Sequence, residues 1–150
     1  MNYTYEYPRP AATTDMIIVT REAPHKLLLI QRKNPPFQGQ WALPGGFLDE
    51  NETLETCAYR ELKEETNIEG IILNQFKTYS EPGRDPRGRT ISTVFWGTAP
   101  SKIAQTAEAA DDAASLDWFA LDNLPRLAFD HNQVLDEALE TILSQYNEPK

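Results

Sequence analysis

Apolar residues in this chain fall into short runs that predict β-strands. Residues 16–20 (MIIVT) and 26–31 (KLLLIQ) are separated by a polar turn, and their unbroken hydrophobicity indicates burial on both faces. Residues 71–79 and 90–98 predict two further strands, joined as a hairpin by a charged loop rich in Pro and Gly. A last strand is expected over residues 115–121 (SLDWFAL).

Two stretches show helical periodicity instead. Thr53 suits the N-cap of a helix that ends near Thr66, and Asn67 suits a left-handed residue that closes it. Asp130 with Gln133 resembles a capping box at the start of a C-terminal helix. That helix is amphipathic, with its apolar face formed by Leu135, Ala138, Leu139, Ile142 and Tyr146. The order of strands, helix, strands, helix predicts an α/β fold with a mixed sheet between helices.

Composition limits the classes of protein that need consideration. The 150 residues, 40% of them hydrophobic and without an internal repeat or linker, predict one domain over residues 1–150. A net charge of -9 argues against nucleic acid and anionic membrane as partners. The single cysteine, Cys57, excludes an internal disulfide, and the N-terminus does not resemble a signal peptide, so a cytoplasmic location is expected.

The acidic residues are concentrated in one segment. Residues 49–65 hold seven acids, which are Asp49, Glu50, Glu52, Glu55, Glu61, Glu64 and Glu65. Such a run is commonly a solvated helix face. At about 100° per residue, however, Glu61 and Glu65 fall within the apolar stripe of the predicted helix, which is formed by Leu54, Ala58 and Leu62. A solvated face therefore does not explain Glu61 and Glu65.

Two inward carboxylates need a neutralising partner, because desolvating an unpaired carboxylate costs several kcal/mol. Arg60 and Lys63 are expected to lie too far round the helix to reach both. Oxygen ligands without nearby His or Cys favour Mg²⁺ or Mn²⁺, and Mg²⁺ commonly shares its ligands with a phosphate-bearing substrate. The glycines of residues 44–46 (PGG) would let a backbone carbonyl approach the ion. The segment thus indicates displacement at phosphorus.

The spacing of these residues resembles the box of the Nudix hydrolases. The matching positions are Gly46, Glu52, Arg60, Glu61, Leu62, Glu64, Glu65 and Ile68. Asn67 departs from the pattern, since the family usually has Gly there. Further segments resemble the bacterial ADP-ribose pyrophosphatase branch of the family, namely residues 7–10, 31–32, 36–37, 39–46, 81–89, 111–113, 118–119 and 127–131.

The resemblance implies an α/β/α sandwich and Mg²⁺-dependent hydrolysis of ADP-ribose to AMP and ribose 5-phosphate. It implies metal binding by the Gly45 carbonyl, Glu61, Glu64 and Glu65. It also implies that Glu52 and Arg60 form the pair that fixes the loop against the helix. An Arg and a Glu at this spacing can form a charge-assisted bond. The general base stays open among Glu61, Glu64, Glu108, Asp111 and Asp112, the last two of which would otherwise cap a polar loop.

Substrate contacts are expected from arginines, because guanidinium groups bind phosphate bidentately. The candidates are Arg32, Arg84, Arg87 and Arg89, and the alternative for each is a solvated surface residue. Phe37 is a candidate for stacking on adenine, with a packing role as its alternative. His25 and His131 are interpreted as turn and capping residues.

Three functions remain open at this stage. The first is the ADP-ribose hydrolase. The second is a Nudix hydrolase acting on nucleoside triphosphates or on dinucleotides such as NADH or diadenosine polyphosphates, because the box is the same in these enzymes. The third is a non-catalytic ADP-ribose sensor of the kind fused to a DNA-binding domain in transcriptional regulators. A homodimer is possible from the resemblance, although the sequence shows no exposed apolar stripe to assign to an interface.

Overall fold

The computed structural model describes residues 2–110 and 113–147. Its strands and helices follow one another as β1 (Ala11–Thr20), β2 (Lys26–Arg32), β3 (Trp41–Ala42), β4 (Gly45–Phe47), α1 (Leu54–Thr66), β5 (Asn74–Tyr79), β6 (Thr90–Ala99), α2 (Ser101–Ala104), β7 (Ala113–Ala120) and α3 (His131–Asn147). In this part of the chain, no helix is long and apolar enough to span a membrane.

The strands form one mixed sheet. Its main path runs β3-β2-β1-β6-β5, while β4 pairs with β1 and β7 pairs with β2. Strands β1 and β6 are parallel, and the other pairings are antiparallel. β1 contacts β2 only near Val19, because its first half is paired with β4 through Thr13, Thr14 and Asp15. The edge of β1 is therefore divided between two partner strands.

Helices cover both faces of the sheet. Met16 and Ile18 of β1 pack toward α1, whereas Ile17 and Val19 pack toward α3. All four are fully buried, as their unbroken apolar run predicted. Successive side chains of a strand point to opposite faces, so one apolar run serves two cores. The predicted α/β fold, with a mixed sheet between helices, is confirmed.

Some strand boundaries differ from the prediction, in one case because the start of the strand is polar. β1 begins at Ala11, five residues before the apolar run, because the sheet pairs this polar segment on both sides. β5 begins only at Asn74, and the short helix α2 was not predicted. Backbone pairing with neighbours, rather than side-chain hydrophobicity, sets these limits.

Helix α1 begins and ends at the residues that its sequence predicts. The hydroxyl of Thr53 accepts a hydrogen bond from the Thr56 N–H. Asn67 takes the left-handed conformation with φ 65°, and its N–H donates to the Lys63 carbonyl. Its side-chain amide also donates to the Thr106 carbonyl. Asn67 thus closes the helix where the family usually has Gly.

The start of α3 differs from the prediction. Both carboxylate oxygens of Asp130 accept hydrogen bonds from the guanidinium of Arg84, at 3.0 and 2.8 Å. Gln133 donates to Glu137 within the helix. The predicted capping box between Asp130 and Gln133 is therefore wrong, because Arg84 from a distant loop takes up the carboxylate.

Replacement of Asn67 by Ala should lower the free energy of unfolding by about 1–2 kcal/mol, because Ala lacks the short polar side chain that lets Asn tolerate the left-handed conformation. Ala also loses the hydrogen bond to the Thr106 carbonyl. Asn67→Gly should cost less, since Gly adopts this φ freely although it also loses the bond to Thr106. Urea unfolding of the two variants beside the parent chain gives the comparison. Equal stability of Asn67→Ala and the parent chain would contradict the role of the left-handed cap.

Candidate functional site

The site is built around strand β4, which carries two adjacent glycines. A Cβ added at Gly46 would lie 2.3 Å from the carboxylate carbon of Glu61. A Cβ added at Gly45 would lie 2.1 Å from the Thr14 carbonyl oxygen and 2.5 Å from a carboxylate oxygen of Asp15. The missing side chains let groups from both faces of the sheet approach the same short backbone segment.

A cavity of about 290 Å³ opens at this point. Its wall includes an acidic part from α1 and the loop before it, a polar part from β1 and α3, and a cationic and aromatic part from the loops. The residues of these parts are Asp49, Glu61, Glu65, Asp15, His131, Arg32, Arg84, Asp85, Arg87, Phe47 and Phe129.

The acids of α1 differ in exposure, as their helical positions predict. Glu65 is only 9% exposed, and the side chain of Glu61 is 13% exposed. The side chain of Glu64 is 46% exposed and lies on the flank of the helix. Glu61 and Glu65 therefore face the cavity, while Glu64 lies at its margin.

Arg60 is the centre of an ion-pair network. Its guanidinium bonds both oxygens of Glu52 and the Phe47 carbonyl, which ties the loop before α1 to the helix. It also donates to Glu61 at 2.8 Å and to Glu64 at 3.1 Å. The expectation was that Arg60 could not reach both Glu61 and Glu65, and the structure shows that it does reach Glu61. The Arg60 side chain is long and flexible, so it can reach a carboxylate that lies on a different side of the helix.

Environment moves the pKa values of two of these carboxyls in opposite directions. Hydrogen bonds from Arg60, with a further one from the Asp49 N–H, lower the pKa of Glu52 to about 2. Burial raises the pKa of Glu61, although bonds from Arg60 oppose this, and the nearby carboxylates of Glu64 and Asp49 raise it further. Burial is therefore the main reason that the pKa of Glu61 is raised, and the neighbouring carboxylates add a smaller effect.

The donor set fits a hard divalent cation in chemical type, because Glu61 and Glu65 are buried oxygen donors beside the glycine turn. As they stand, no three His, Cys, Asp or Glu side chains within residues 2–110 and 113–147 are grouped closely enough to hold one ion. Glu61 and Glu64 are instead bonded to Arg60. Glu64 would have to exchange its bond to Arg60 to join a shared ligand set.

The loop between β5 and β6 brings arginines to the cavity, each held by its own carboxylate. Arg84, with a side chain only 5% exposed, is bonded by Asp130. Arg87 is bonded by the buried Asp85. Arg89, by contrast, donates to the Ser80 carbonyl and does not line the cavity. Of these loop candidates, the structure places Arg84 and Arg87 in the cavity wall and bonds Arg89 within the loop itself.

The aromatic contacts differ from the prediction for Phe37. Phe37 packs edge-on against Phe129 at 4.9 Å and lies outside the cavity wall. Phe129 lines the cavity instead, with the guanidinium groups of Arg32 and Arg87 at 4.9 and 5.1 Å from its ring centre. Arg87 also lies 4.8 Å from the ring of Phe47. The packing alternative holds for Phe37, and Phe129 and Phe47 replace it as aromatic candidates.

Sequence reasoning missed two buried polar residues of the wall, Asp15 and His131. Burial opposes ionisation of Asp15, but His131 and a hydrogen bond from Ser92 outweigh it and hold the pKa of Asp15 below its usual value. His131 accepts a hydrogen bond from the Leu43 N–H. The available signal was a charged residue directly before a buried apolar run. His131 is the first residue of α3, and this position at a helix start favoured its interpretation as a capping residue.

The candidates for a base from the acidic loop are only partly placed. Asp111 and Asp112 lie outside the described residues. Glu108 is exposed and is absent from the described cavity wall, although its N–H bonds the Thr66 carbonyl at the end of α1. The Ala110 N–H likewise bonds the Glu65 carbonyl, so residues 108–110 lie beside the end of the acidic helix.

Comparison with known proteins assigns the chain to a family. A NUDIX domain model matches residues 10–140. The chain belongs to the Nudix family. The resemblance seen in the residue spacing is therefore confirmed, and so is the prediction of a Nudix pyrophosphohydrolase at the level of the family.

Three proteins of the family illustrate what this chain resembles. An ADP-ribose pyrophosphatase of Methanocaldococcus jannaschii is 45% identical over 87% of this Nudix chain and 74% of its own length. The ADPR responsive transcriptional repressor NtrR of Acinetobacter baylyi is 35% identical over 89% of this chain, which spans only 54% of that repressor. The NUDIX domain of Shewanella oneidensis NrtR, solved with ADP ribose, is 32% identical with a TM-score of 0.83 and 94% coverage of each chain.

The Glu52 pKa of about 2 against 4.5 for an ordinary Glu predicts how stability depends on pH. A lowered pKa in the folded state contributes stability above about pH 4.5, and this contribution is lost as the pH falls toward 2. Glu52→Gln should therefore lower the melting temperature most at neutral pH, and its difference from the parent chain should shrink below about pH 4.5. Melting curves from pH 7 to 3 test this, and a constant difference would contradict it.

Proposed function

We propose that this chain is a Mg²⁺-dependent hydrolase of a nucleoside diphosphate derivative, with ADP-ribose as substrate and AMP and ribose 5-phosphate as products. The observation that carries the proposal is one cavity in which a buried acidic helix face meets anchored arginines across the two-glycine strand. Carboxylates bind Mg²⁺, and arginines bind a diphosphate. Residues of both kinds line the same cavity.

The metal site proposed here consists of Glu61, Glu64, Glu65 and the Gly45 carbonyl. When bound, Mg²⁺ neutralises carboxylates, acidifies water and stabilises the charge that develops on phosphoryl oxygens. The network of Arg60 and Glu52 holds the loop and helix so that Glu61 and Glu65 face the cavity. Water adds to one phosphorus and the bond to the bridging oxygen breaks, with the proton passing to a carboxylate base that Asp112 or a residue of the box supplies.

Substrate positioning is assigned to the anchored arginines. Asp130 fixes the fork of Arg84, and Asp85 fixes that of Arg87, so neither guanidinium loses much freedom on binding a phosphate. Phe129 and Phe47 offer flat faces beside these charges for the nucleobase. The name of the Methanocaldococcus relative supports ADP-ribose over nucleoside triphosphates and dinucleotides. A cytoplasmic location suits hydrolysis of ADP-ribose. Assembly into a homodimer stays a prediction.

The activity is tested by separating products from ADP-ribose, ATP, NADH and a diadenosine polyphosphate at equal concentration with Mg²⁺. We expect ADP-ribose to give AMP at the highest kcat/KM and chelation of the metal to stop the reaction. Rapid cleavage of another nucleotide while ADP-ribose stays intact would refute the substrate assignment.

The metal assignment is tested with Glu65→Gln, which keeps the size of this inward side chain and removes its charge. Turnover should fall by at least about 100-fold, because metal stabilisation of the transition state is worth several kcal/mol. Glu55→Gln on the exposed face of the same helix is the matched control and should keep the parent rate. Melting temperatures of the two variants should both stay near that of the parent chain. A near-normal rate for Glu65→Gln would remove Glu65 from the metal site.

A second candidate is an ADP-ribose sensor without turnover, favoured by the similarity to the Acinetobacter repressor and to the Shewanella domain solved with ADP ribose. The intact acidic set of Glu61, Glu64 and Glu65 argues for catalysis instead. Equilibrium binding and product formation measured on the same sample separate the two. Tight binding of ADP-ribose in Mg²⁺ without AMP release would establish the sensor.

A further inference from the structure

The cavity has two sides that lie on opposite faces of the sheet. Glu61 packs against Gly46, whereas Asp15 pairs in register with Gly45. Adjacent residues of a strand point to opposite faces, so Asp15 lies on the face that α3 covers, away from the acids of α1. Ile17, two residues along β1, packs with α3 and confirms the side. His131, the first residue of α3, lies opposite Asp15.

The hydrogen bonds of His131 fix the position of its ring proton. The Leu43 N–H donates to Nδ1 at 3.1 Å, so Nδ1 carries the lone pair and the proton is on Nε2. Nε2 lies 3.7 Å from Oδ1 of Asp15, which is too long for a direct hydrogen bond. The side chain is 5% exposed, so a buried N–H donor faces the cavity without an acceptor within bonding distance among the described residues.

Asp15 supplies the complementary acceptor. Its Oδ2 accepts from the Ser92 hydroxyl at 2.5 Å, which leaves Oδ1 toward His131 and the cavity. An oxygen atom can lie about 2.8 Å from both Oδ1 and Nε2. A group that accepts from Nε2 and donates to Oδ1 needs an O–H, which a sugar hydroxyl or a water molecule supplies. A phosphoryl oxygen is excluded, because it has no proton to donate and its charge would be repelled by the carboxylate.

We propose that Asp15 and His131 form a specificity notch that binds one sugar hydroxyl of the substrate, on the face of the sheet opposite to the metal-binding acids. This inference rests on the proposed hydrolysis of a nucleoside diphosphate sugar. The diphosphate lies by the acids and arginines, and a ribose hydroxyl reaches across β4 into the notch. The notch selects a sugar over the terminal phosphate of a nucleoside triphosphate. Ser92 and Leu43 act as positioning residues.

The first test uses the parent chain, ADP-ribose and analogues that each lack one hydroxyl, on the adenosine ribose or on the terminal ribose. One analogue should lose roughly 10- to 100-fold in kcat/KM, because a hydrogen bond to a charged group is lost and a buried donor is left unpaired. The position of the missing hydroxyl identifies which ribose enters the notch. If all analogues match ADP-ribose, the notch holds only water and the proposal is overturned.

The second test is Asp15→Asn, which keeps the shape but can turn a donor toward Nε2 of His131. We expect kcat/KM for ADP-ribose to fall to the level of the discriminated analogue, mainly through KM, while the value for that analogue stays unchanged. Asp122→Asn, at an exposed position outside the cavity wall, is the matched control. Equal losses for ADP-ribose and the analogue would overturn the notch and indicate a general structural role for Asp15.

Binding measurements keep this test separate from the proposed activity. Calorimetric titration of ADP-ribose and its analogues, with metal chelated so that no turnover occurs, should show the same discrimination and its loss in Asp15→Asn. Discrimination in binding without hydrolysis in Mg²⁺ would refute the enzyme and retain the notch. Hydrolysis without discrimination would do the reverse. If Asp15→Asn does not fold, the analogue series on the parent chain still decides.

Discussion

The close approach of groups to the bare backbone at Gly45 and Gly46 is the constraint on which the site depends. A Cβ at Gly46 would occupy the space of the Glu61 carboxylate, and one at Gly45 would meet the Thr14 carbonyl. Because Gly45 and Gly46 have no side chains, groups from both faces of the sheet can approach the backbone of β4. The acids of α1 and the polar residues beside α3 can then line a single cavity.

Charge is organised around that floor by fixed ion pairs rather than by its overall sum. Arg60 binds Glu52, Glu61 and Glu64, and so determines where the carboxylates of the helix lie. Arg84 and Arg87 are each held by one carboxylate, which positions two guanidinium groups opposite the acidic side. The net charge of -9 therefore does not describe the cavity, in which acidic and basic side chains lie on separate parts of the wall. Such a separation suits a metal ion together with an anionic substrate.

Prediction succeeded where local chemistry determines structure. Thr53 and Asn67 bound α1 because capping depends on neighbouring backbone groups. The inward direction of Glu65 follows from helical periodicity alone. Prediction failed for the capping box at Asp130, because Arg84 is brought to it from elsewhere in the chain. The contact of Phe37 with Phe129 likewise joins segments that are distant in the sequence. The first half of β1 was missed since its pairing, not its hydrophobicity, makes it a strand.

The sequence by itself determined the family, the alternation of strands and helices, and the acidic face of α1, since each depends on spacing within one segment. Only the tertiary structure joined Asp15 of β1 to His131 of α3, 3.7 Å apart across more than a hundred residues. It likewise placed Arg87 rather than Arg89 in the wall. Contacts between distant segments depend on which strands pair and in what register, and the spacing within one segment does not specify its partner.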